Sequence, residues 1–599
     1  MSTKEIKQAF RYEKIPIKQE KKQGRQGASN NIQTIGRIWQ YLAVEKWRLL
    51  LVIFMVLLSS TLGLLGPFLV GVAIDDFIVT KKTTGLLLLL GALIFIYILH
   101  ALSVFLQNFW IIGIAQKTVF TLRKDIFEQF HQLPIAYFDK RQQGDLMSRV
   151  TNDIDNINNT LNQSVIQVFA SIITIIGTVT VMLLLSPLLT LVTMTIIPIL
   201  FIAMRWITNR TGPLYKMQQR DLGNLNGFVE ETVSGQEVVT LFSQEARVIE
   251  EFKEKNKQLQ HSGFWATTIA GFIPKVMNTL NFLSFAIIAL VGGILAFKGY
   301  ITVGVIVIFT EYARQFTRPL NELSNQFNIL LSAIAGAERV FAVLDEAKEE
   351  ADETEAIDIQ STNGELTFKD VTFSYDDTPV LKNISFDVDA GEMVAFVGHT
   401  GAGKSTIINL ISRFYDYDSG EILLDGRLLK NITRKSLREH MGFVLQDSFL
   451  FEGTIKDNIR YGNLHATDEE VIEAAKRANA DGFIRRLPDG YDTLLQQERS
   501  NLSKGQIQLI TIARAMIKDP AILILDEATS NIDTITEIKI QEGLQRLMHG
   551  RTSFVIAHRL NTIQQADQIF MLEDGELIEQ GTHETLLQKQ GKYAQLFQT

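Results

Sequence analysis

The 599-residue chain contains no cysteine. That absence excludes disulfides, thiolate metal sites and cysteine nucleophiles together. It fits a bacterial cytoplasmic membrane setting. Net charge is small, at −8, so nucleic acid is not expected as a partner. The chain opens without an apolar signal-peptide core: its first 30 residues carry eight basic and three acidic side chains. A basic tail on the cytoplasmic side is therefore expected, disordered or in contact with anionic lipid, and no secretory leader. Charge is scarce in the first half, whereas most of the Lys, Arg, Asp and Glu residues lie after position 330. A chain this long divides into more than one domain.

The charge-poor half contains long uncharged runs. There are 26 residues without Asp, Glu, Lys or Arg between Arg48 and Asp75, and 34 between Lys82 and Lys117. A run of 49 lies between Asp155 and Arg205, broken at Ser186-Pro187, and one of 22 lies between Lys275 and Lys298. A spanning helix needs about 20 mainly apolar residues. Six spans are expected, at roughly 48–78, 85–112, 162–186, 188–208, 276–297 and 299–323, the last tolerating Glu311 and Arg314. Those two charges are a helical turn apart, and either pair with each other or meet substrate in a cavity. The segments after spans 2 and 4 are long and basic, so both termini and both segments are expected in the cytoplasm.

The expected fold class is an all-α six-helix transmembrane domain with long cytoplasmic helical extensions, fused to an α/β domain whose motifs VAFVGHTGAGKST (394–406) and AILILDEATS (521–530) mark it as a P-loop nucleotide-binding domain. Its expected parts are a basic tail (1–33), the transmembrane domain (34–330), an acidic helical linker (331–363) and the nucleotide-binding domain (364–599). The linker carries the run LDEAKEEADETEAID at 344–358.

The soluble half holds two phosphate-directed motifs. VAFVGHTGAGKST (394–406) is a hydrophobic strand, a glycine-rich loop and a helix start. Glycines let successive backbone N–H groups converge on phosphate oxygens, and the helix N-terminus adds its partial positive charge. The candidate nucleotide contacts are Gly398, Thr400, Gly401, Gly403, Lys404, Ser405 and Thr406, with Lys404 on the β- and γ-phosphates and Ser405 on Mg²⁺. AILILDEATS (521–530) is a second buried strand ending in adjacent carboxylates. Asp526 suits a magnesium-linked role, and Glu527 can polarise the attacking water.

With these motifs in this order, the chain resembles the half-transporters of the ATP-binding cassette (ABC) exporter family over residues 34–599. The resemblance implies ATP and Mg²⁺ as cofactors and ATP-driven export of hydrophobic compounds, drugs or lipids, from a multi-pass position in the bilayer. It assigns Tyr375 of VTFSYDD to stacking on adenine, and Gln446 of GFVLQDSFLF to sensing Mg²⁺ and the γ-phosphate. His558 of VIAHRL becomes the switch histidine, and Asp533 part of a loop crossing to the partner. The stretch 137–155 and the region around Glu231 and Gly235 look like the two cytoplasmic extensions, which in this family end in short coupling helices.

Family members also carry LSGGQ, which binds the γ-phosphate of a nucleotide held by a second ABC domain. Here that stretch reads Leu502-Ser503-Lys504-Gly505-Gln506. Ser503, Gly505 and Gln506 remain as candidate contacts, while Lys504 puts a side chain where backbone was meant to approach closely. The favoured expectation is a heterodimer with a second half-transporter, having one competent and one degenerate ATP site. A homodimer with two equal sites is the alternative, and a nucleotide-gated channel or regulatory subunit a further one.

Overall fold

A computed structural model describes residues 27–376, 378–446, 448–496, 502–526, 532–557 and 559–595. They form two compact units. One holds the described residues up to His131 together with Gln143–Glu346, and the other holds Gln132–Gln142 together with Ala347 onward.

The first unit is helical. Its long helices are α1 (Lys46–Ala73), α2 (Leu86–Phe130), α3 (Val165–Leu185), α4 (Ile196–Ser234), α5 (Glu245–Ala270), α6 (Phe272–Phe297) and α7 (Val303–Leu344). At 45 residues, α2 is roughly 68 Å long, more than twice the hydrocarbon thickness of about 30 Å. Among the described residues, five stretches are long and apolar enough to cross a membrane: Lys46–Val79, Leu86–Phe130, Gln143–Leu185, Glu245–Phe297 and Asn325–Leu344. The first, second, third and fifth expected spans fall within the first four. The fourth, 188–208, is divided at Thr195 between an eight-residue helix, Pro187–Met194, and α4. The sixth, 299–323, contains Glu311, Arg314, Arg318 and Glu322, and the apolar window of that helix lies further on, at Asn325–Leu344.

Polar contacts join these helices. Buried Tyr312 donates to the Leu64 carbonyl at 2.6 Å, one turn before Pro67 interrupts the ladder of α1. Arg339 of α7 binds the buried carboxylate of Asp153, with Nε at 2.8 Å. Gly336 clears the way: a Cβ there would lie 3.3 Å from the Asp153 carbonyl. Helix α4 stops at Ser234 and a short helix, Gln236–Leu241, follows Gly235. Of the phenylalanines in the expected spans, Phe54, Phe105, Phe109, Phe169, Phe282 and Phe285 are exposed, as lipid-facing or partner-facing surface requires.

The second unit is α/β. Strands β1 (Leu366–Ser374), β2 (Pro379–Val388), β4 (Ser419–Leu424) and β5 (Arg427–Leu428) form an antiparallel sheet in the order β2-β1-β4-β5. A six-stranded sheet combines β3 (Met393–Val397), β6 (Met441–Val444), β7 (Ile522–Asp526), β8 (Thr552–Ile556), β9 (Gln568–Glu573) and β10 (Glu576–Gly581), in the order β10-β9-β3-β8-β7-β6. The strands from β9 to β6 are parallel. They are nearly continuous runs of buried aliphatics, as a sheet covered on both faces requires. Helix α8 (Lys404–Ile411) follows β3, and α9 (Lys504–Lys518) precedes β7.

Between the sheets lies an aromatic core of Phe368, Phe386, Phe396, Phe554 and Phe570, with Phe396 next to Phe386, Phe554 and Phe570 at centroid distances of 6.1, 6.2 and 5.7 Å. The acidic linker continues the same unit through ion pairs: Glu349 with Arg438 at 3.1 Å, and Asp352 with Arg434 at 3.1 Å. Residues 132–142 belong here as well, the Gln132 carbonyl accepting from Glu349 N at 2.7 Å.

Phe396→Ala removes a fully buried ring beneath the phosphate loop and is expected to cost about 3–5 kcal/mol. The drop will register as a lower midpoint for the ATPase unit when the full-length protein is unfolded in a scanning calorimeter.

Candidate nucleotide and transport sites

The strand order decides where the phosphate groups meet. Phe396 of β3 is level with Ile556 of β8, Ile556 with Asp526 of β7, and Leu525 with Val444 of β6. All four strands therefore end at one edge. Gly398 follows β3 directly, Asp526 closes β7, and exposed Gln446 stands two residues beyond β6. Glu527 and His558 come next after Asp526 and Ala557 in the chain, and both lie outside the described residues.

The loop between β3 and α8 depends on its glycines. Gly398, Gly401 and Gly403 have φ of +154°, +89° and +101°, a region that side chains with a Cβ rarely adopt. A Cβ on Gly398 would also lie 2.3 Å from the Leu572 carbonyl, and one on Gly403 2.6 Å from Leu381. Lys404 turns back over this loop and donates to the Gly398 carbonyl at 2.7 Å and the His399 carbonyl at 2.9 Å. Burial pulls its pKa down, and the Asp526 carboxylate pushes it the other way. Ser405 is exposed at the helix start, as is Thr400 in the loop, while Thr406 is buried. The Tyr375 hydroxyl stands 3.4 Å from Thr406 Oγ1 and accepts from Asn409 Nδ2 at 3.1 Å. Tyr375, Thr406 and the loop are thus brought together.

The signature stretch has its own local geometry. Ser503 caps α9: its Oγ accepts from Gln506 N at 3.3 Å, and Gln506 Oε1 accepts from Ser503 N at 2.9 Å. This reciprocal box needs Ser and Gln three residues apart. Lys504 is the first residue of the helix and is exposed. Its backbone is helical, so nothing in the fold of this chain requires glycine there. The adjacent Gly505 is buried, and a Cβ on it would lie 2.4 Å from Thr536 Cγ2 and 3.0 Å from Ile532 Cγ2. Asp533 caps the next helix, α10 (Thr534–Met548), by accepting from Thr536 N at 2.9 Å, and that bond holds its carboxyl below the usual range.

Three residues beside the base-stacking candidate escaped the motif reading: Asn409, Tyr415 and Asp139. Tyr415 packs edge-on to Tyr375, and its hydroxyl donates to Asp139 at 2.8 Å. The aromatic pair in RFYDYD was the only sequence signal for Tyr415, and nothing in the sequence linked it to position 375.

In the first unit, α1, α2, α3, α6 and α7 line an open cavity of about 810 Å³. Its wall is mixed: His100, Gln107, Gln167, Glu311 and Glu322 among apolar groups such as Phe285. His100 Nδ1 is 2.9 Å from the Ser59 carbonyl, and Glu322 pairs with Arg318 at 2.9 Å. Arg314 Nη2 donates to Glu311 at 2.5 Å, so the mutual ion pair between these two residues forms, while Glu311 also lines the cavity.

Known proteins match both units. Residues 49–320 match the family described as ABC transporter transmembrane region, and residues 381–530 the family described as ABC transporter. An uncharacterized ABC transporter ATP-binding protein of Bacillus subtilis, YfiC, is 57% identical, the match covering 100% of this chain and 99% of that protein. A fatty acid ABC transporter ATP-binding/permease protein of Mycobacterium bovis is 42% identical over 87% of this chain and 82% of its own. An ATP-dependent lipid A-core flippase of Syntrophus aciditrophicus is 38% identical over 89% of this chain and 88% of its own. The chain belongs to the ABC transporter family, as a membrane-spanning half-transporter fused to its ATPase. It is an ATP-hydrolysing enzyme whose hydrolysis is coupled to transport, and it works as part of a dimer of such halves.

Gly505→Ala is expected to lower the unfolding midpoint by the equivalent of about 1–3 kcal/mol, whereas Lys504→Gly shifts it by about 1 kcal/mol or less. Thermal unfolding of the two purified variants side by side checks this. Equal shifts would show that Gly505 is not pressed against Thr536 and Ile532 as the geometry has it.

Proposed function

We propose that this chain is the hydrolysis-competent half of a heterodimeric exporter in the cytoplasmic membrane, with both termini in the cytoplasm. Two observations support the reading together: a fully formed phosphate loop, and an exposed lysine in the signature. In the family arrangement the signature faces the partner's nucleotide. A cation at the first turn of α9 then changes the electrostatics of the site completed on the partner, and leaves this chain's own loop untouched.

The residues of this chain would act as follows. Lys404, already bonded to two loop carbonyls, exchanges them for β- and γ-phosphate oxygens at little desolvation cost, because its ammonium is buried in both states. Loop N–H groups between Gly398 and Thr406 take the remaining oxygens, and Tyr375 stacks on the adenine. Glu527 orients water for attack on the γ-phosphorus and takes its proton as the bond to ADP breaks, with His558 on the γ-phosphate. Ser405, Gln446 and Asp526 offer hard oxygen donors at the strand edge, and Asp526 sits close enough to Lys404 to perturb its protonation. That donor set fits Mg²⁺, which when bound supplies charge neutralisation at the phosphates. On the partner's nucleotide, Ser503, Gly505 and Gln506 form the remaining contacts.

The substrate class follows from the relatives and the cavity. Proteins named for fatty acid and lipid A-core transport align over most of this chain. A cavity of about 810 Å³ with apolar walls and a few polar groups suits an amphipathic organic molecule or lipid. The intact capping box of Ser503 and Gln506 favours a second reading, a homodimer in which LSKGQ still serves two equal sites.

The purified chain alone is expected to hydrolyse ATP at a small fraction of the rate it reaches with a second half-transporter, and Glu527→Gln to abolish most turnover of the pair. Robust ATPase activity of the chain by itself, lost on Ser503→Ala, would establish the homodimer instead. Glu311→Gln is expected to change the substrate concentration that half-stimulates ATPase activity by about tenfold or less, measured in proteoliposomes, with basal hydrolysis unaffected.

A further inference from the structure

The short helix Ile135–Asp139 and the lysine that follows it lie against the base-stacking candidate. Two strands of contact lead there. In the first, Asp139 accepts from the Tyr415 hydroxyl at 2.8 Å, and the Tyr415 ring meets Tyr375 at a centroid distance of 4.9 Å and an interplanar angle of 90°. Phe373 closes the cluster, edge-on to Tyr375 at 4.9 Å and to Tyr415 at 5.7 Å. In the second, Lys140 Nζ reaches the Tyr375 carbonyl at 3.5 Å and the Asp376 carboxylate at 2.9 Å. Across the ring, the Tyr375 hydroxyl is held by Thr406 and Asn409 of the phosphate-loop helix.

We propose that Tyr415 is a positioning residue for Tyr375, and that Asp139 holds Tyr415 in place, so that adenine affinity and base preference depend on how the Ile135–Asp139 helix is seated. The proposal rests on the reading of Tyr375 as the adenine-stacking ring. A stacking ring selects a base only if its plane is fixed before the base arrives, because a rotating ring loses that freedom on binding. The edge-on contacts of Phe373 and Tyr415 fix that plane, and the bond to Asp139 fixes Tyr415. Burial and the Asp139 carboxylate both raise the Tyr415 pKa, so the hydroxyl stays a donor over the working pH range. The coupling is reciprocal: whatever tightens the seat of the helix when nucleotide binds must tighten nucleotide when the helix is seated.

The test is steady-state kinetics of the assembled full-length transporter with ATP and with CTP, whose smaller base stacks less. Tyr415→Leu is expected to raise KM for ATP about 3- to 10-fold, the range that an edge-on aromatic contact supports. Its kcat should stay within about twofold and the ATP-over-CTP preference should shrink. Tyr415→Phe and Asp139→Ala should each raise KM by about 2- to 5-fold, and together by no more than either alone, since each removes one partner of the same bond. A purely structural role would lower kcat and folded yield and leave KM and base preference unmoved.

Tyr375→Ala separates the two levels of the argument. If it raises KM for ATP while Asp139→Ala, Tyr415→Phe and Tyr415→Leu do not, the positioning role is overturned and the stacking role stands. If Tyr375→Ala changes neither KM nor base preference, the stacking reading fails and the proposal falls with it. Should Tyr415→Leu not fold, unchanged KM in both single-bond variants still overturns the proposal.

Discussion

The row Phe396–Ile556–Asp526 is the constraint on which the ATPase unit depends. Parallel strands locked in that register end together, and the groups directed at phosphate issue from their common edge. A slip of one residue would turn Phe396 and Phe554 out of the aromatic layer and point polar neighbours into it. The buried rings therefore hold the chemistry in place without touching it. The loop glycines meet the same demand from the other side, since Leu572 and Leu381 leave no room for a Cβ at Gly398 or Gly403.

Lys404 shows how the site is kept ready. A buried ammonium without partners would be costly, and here two loop carbonyls satisfy it. The same bonds draw the loop between β3 and α8 closed. Two ion pairs beside the cavity of the membrane unit differ: Arg314–Glu311 and Arg318–Glu322 are within-helix pairs with substantial exposure. Such pairs contribute little to stability, so their presence along a cavity bears on what the cavity accepts.

Much of this was legible in the sequence because the signals are local. Glycine spacing after a hydrophobic strand marked the phosphate loop, and the uncharged runs marked four of the membrane helices. The exceptions have physical reasons. Charges at 311, 314, 318 and 322 sit inside one continuous helix of 42 residues, so an apolar window and a helix boundary no longer coincide. Within this chain the tight approach at the signature is at Gly505, against Thr536. Helical backbone at 504 makes no such demand, and only the three-dimensional path of α10 reveals which glycine is pressed. Tyr415 and Asp139 were invisible for the same reason: they meet across |i−j| of 276 residues. Of the stretch 137–155, the residues up to Gln142 belong to the α/β unit and the rest to the helical one.

The glycine at 505 has a mechanical consequence. With no side chain between them, the start of α9 rests directly on Thr536 and Ile532, and Asp533 fastens Thr536 from below through its cap. Close-packed contacts of this kind resist compression and transmit a push. The signature and the turn before α10 therefore form one hard jaw with no joint in it. Any force that a neighbouring molecule applies to either lip is felt by the other over the same fraction of an ångström.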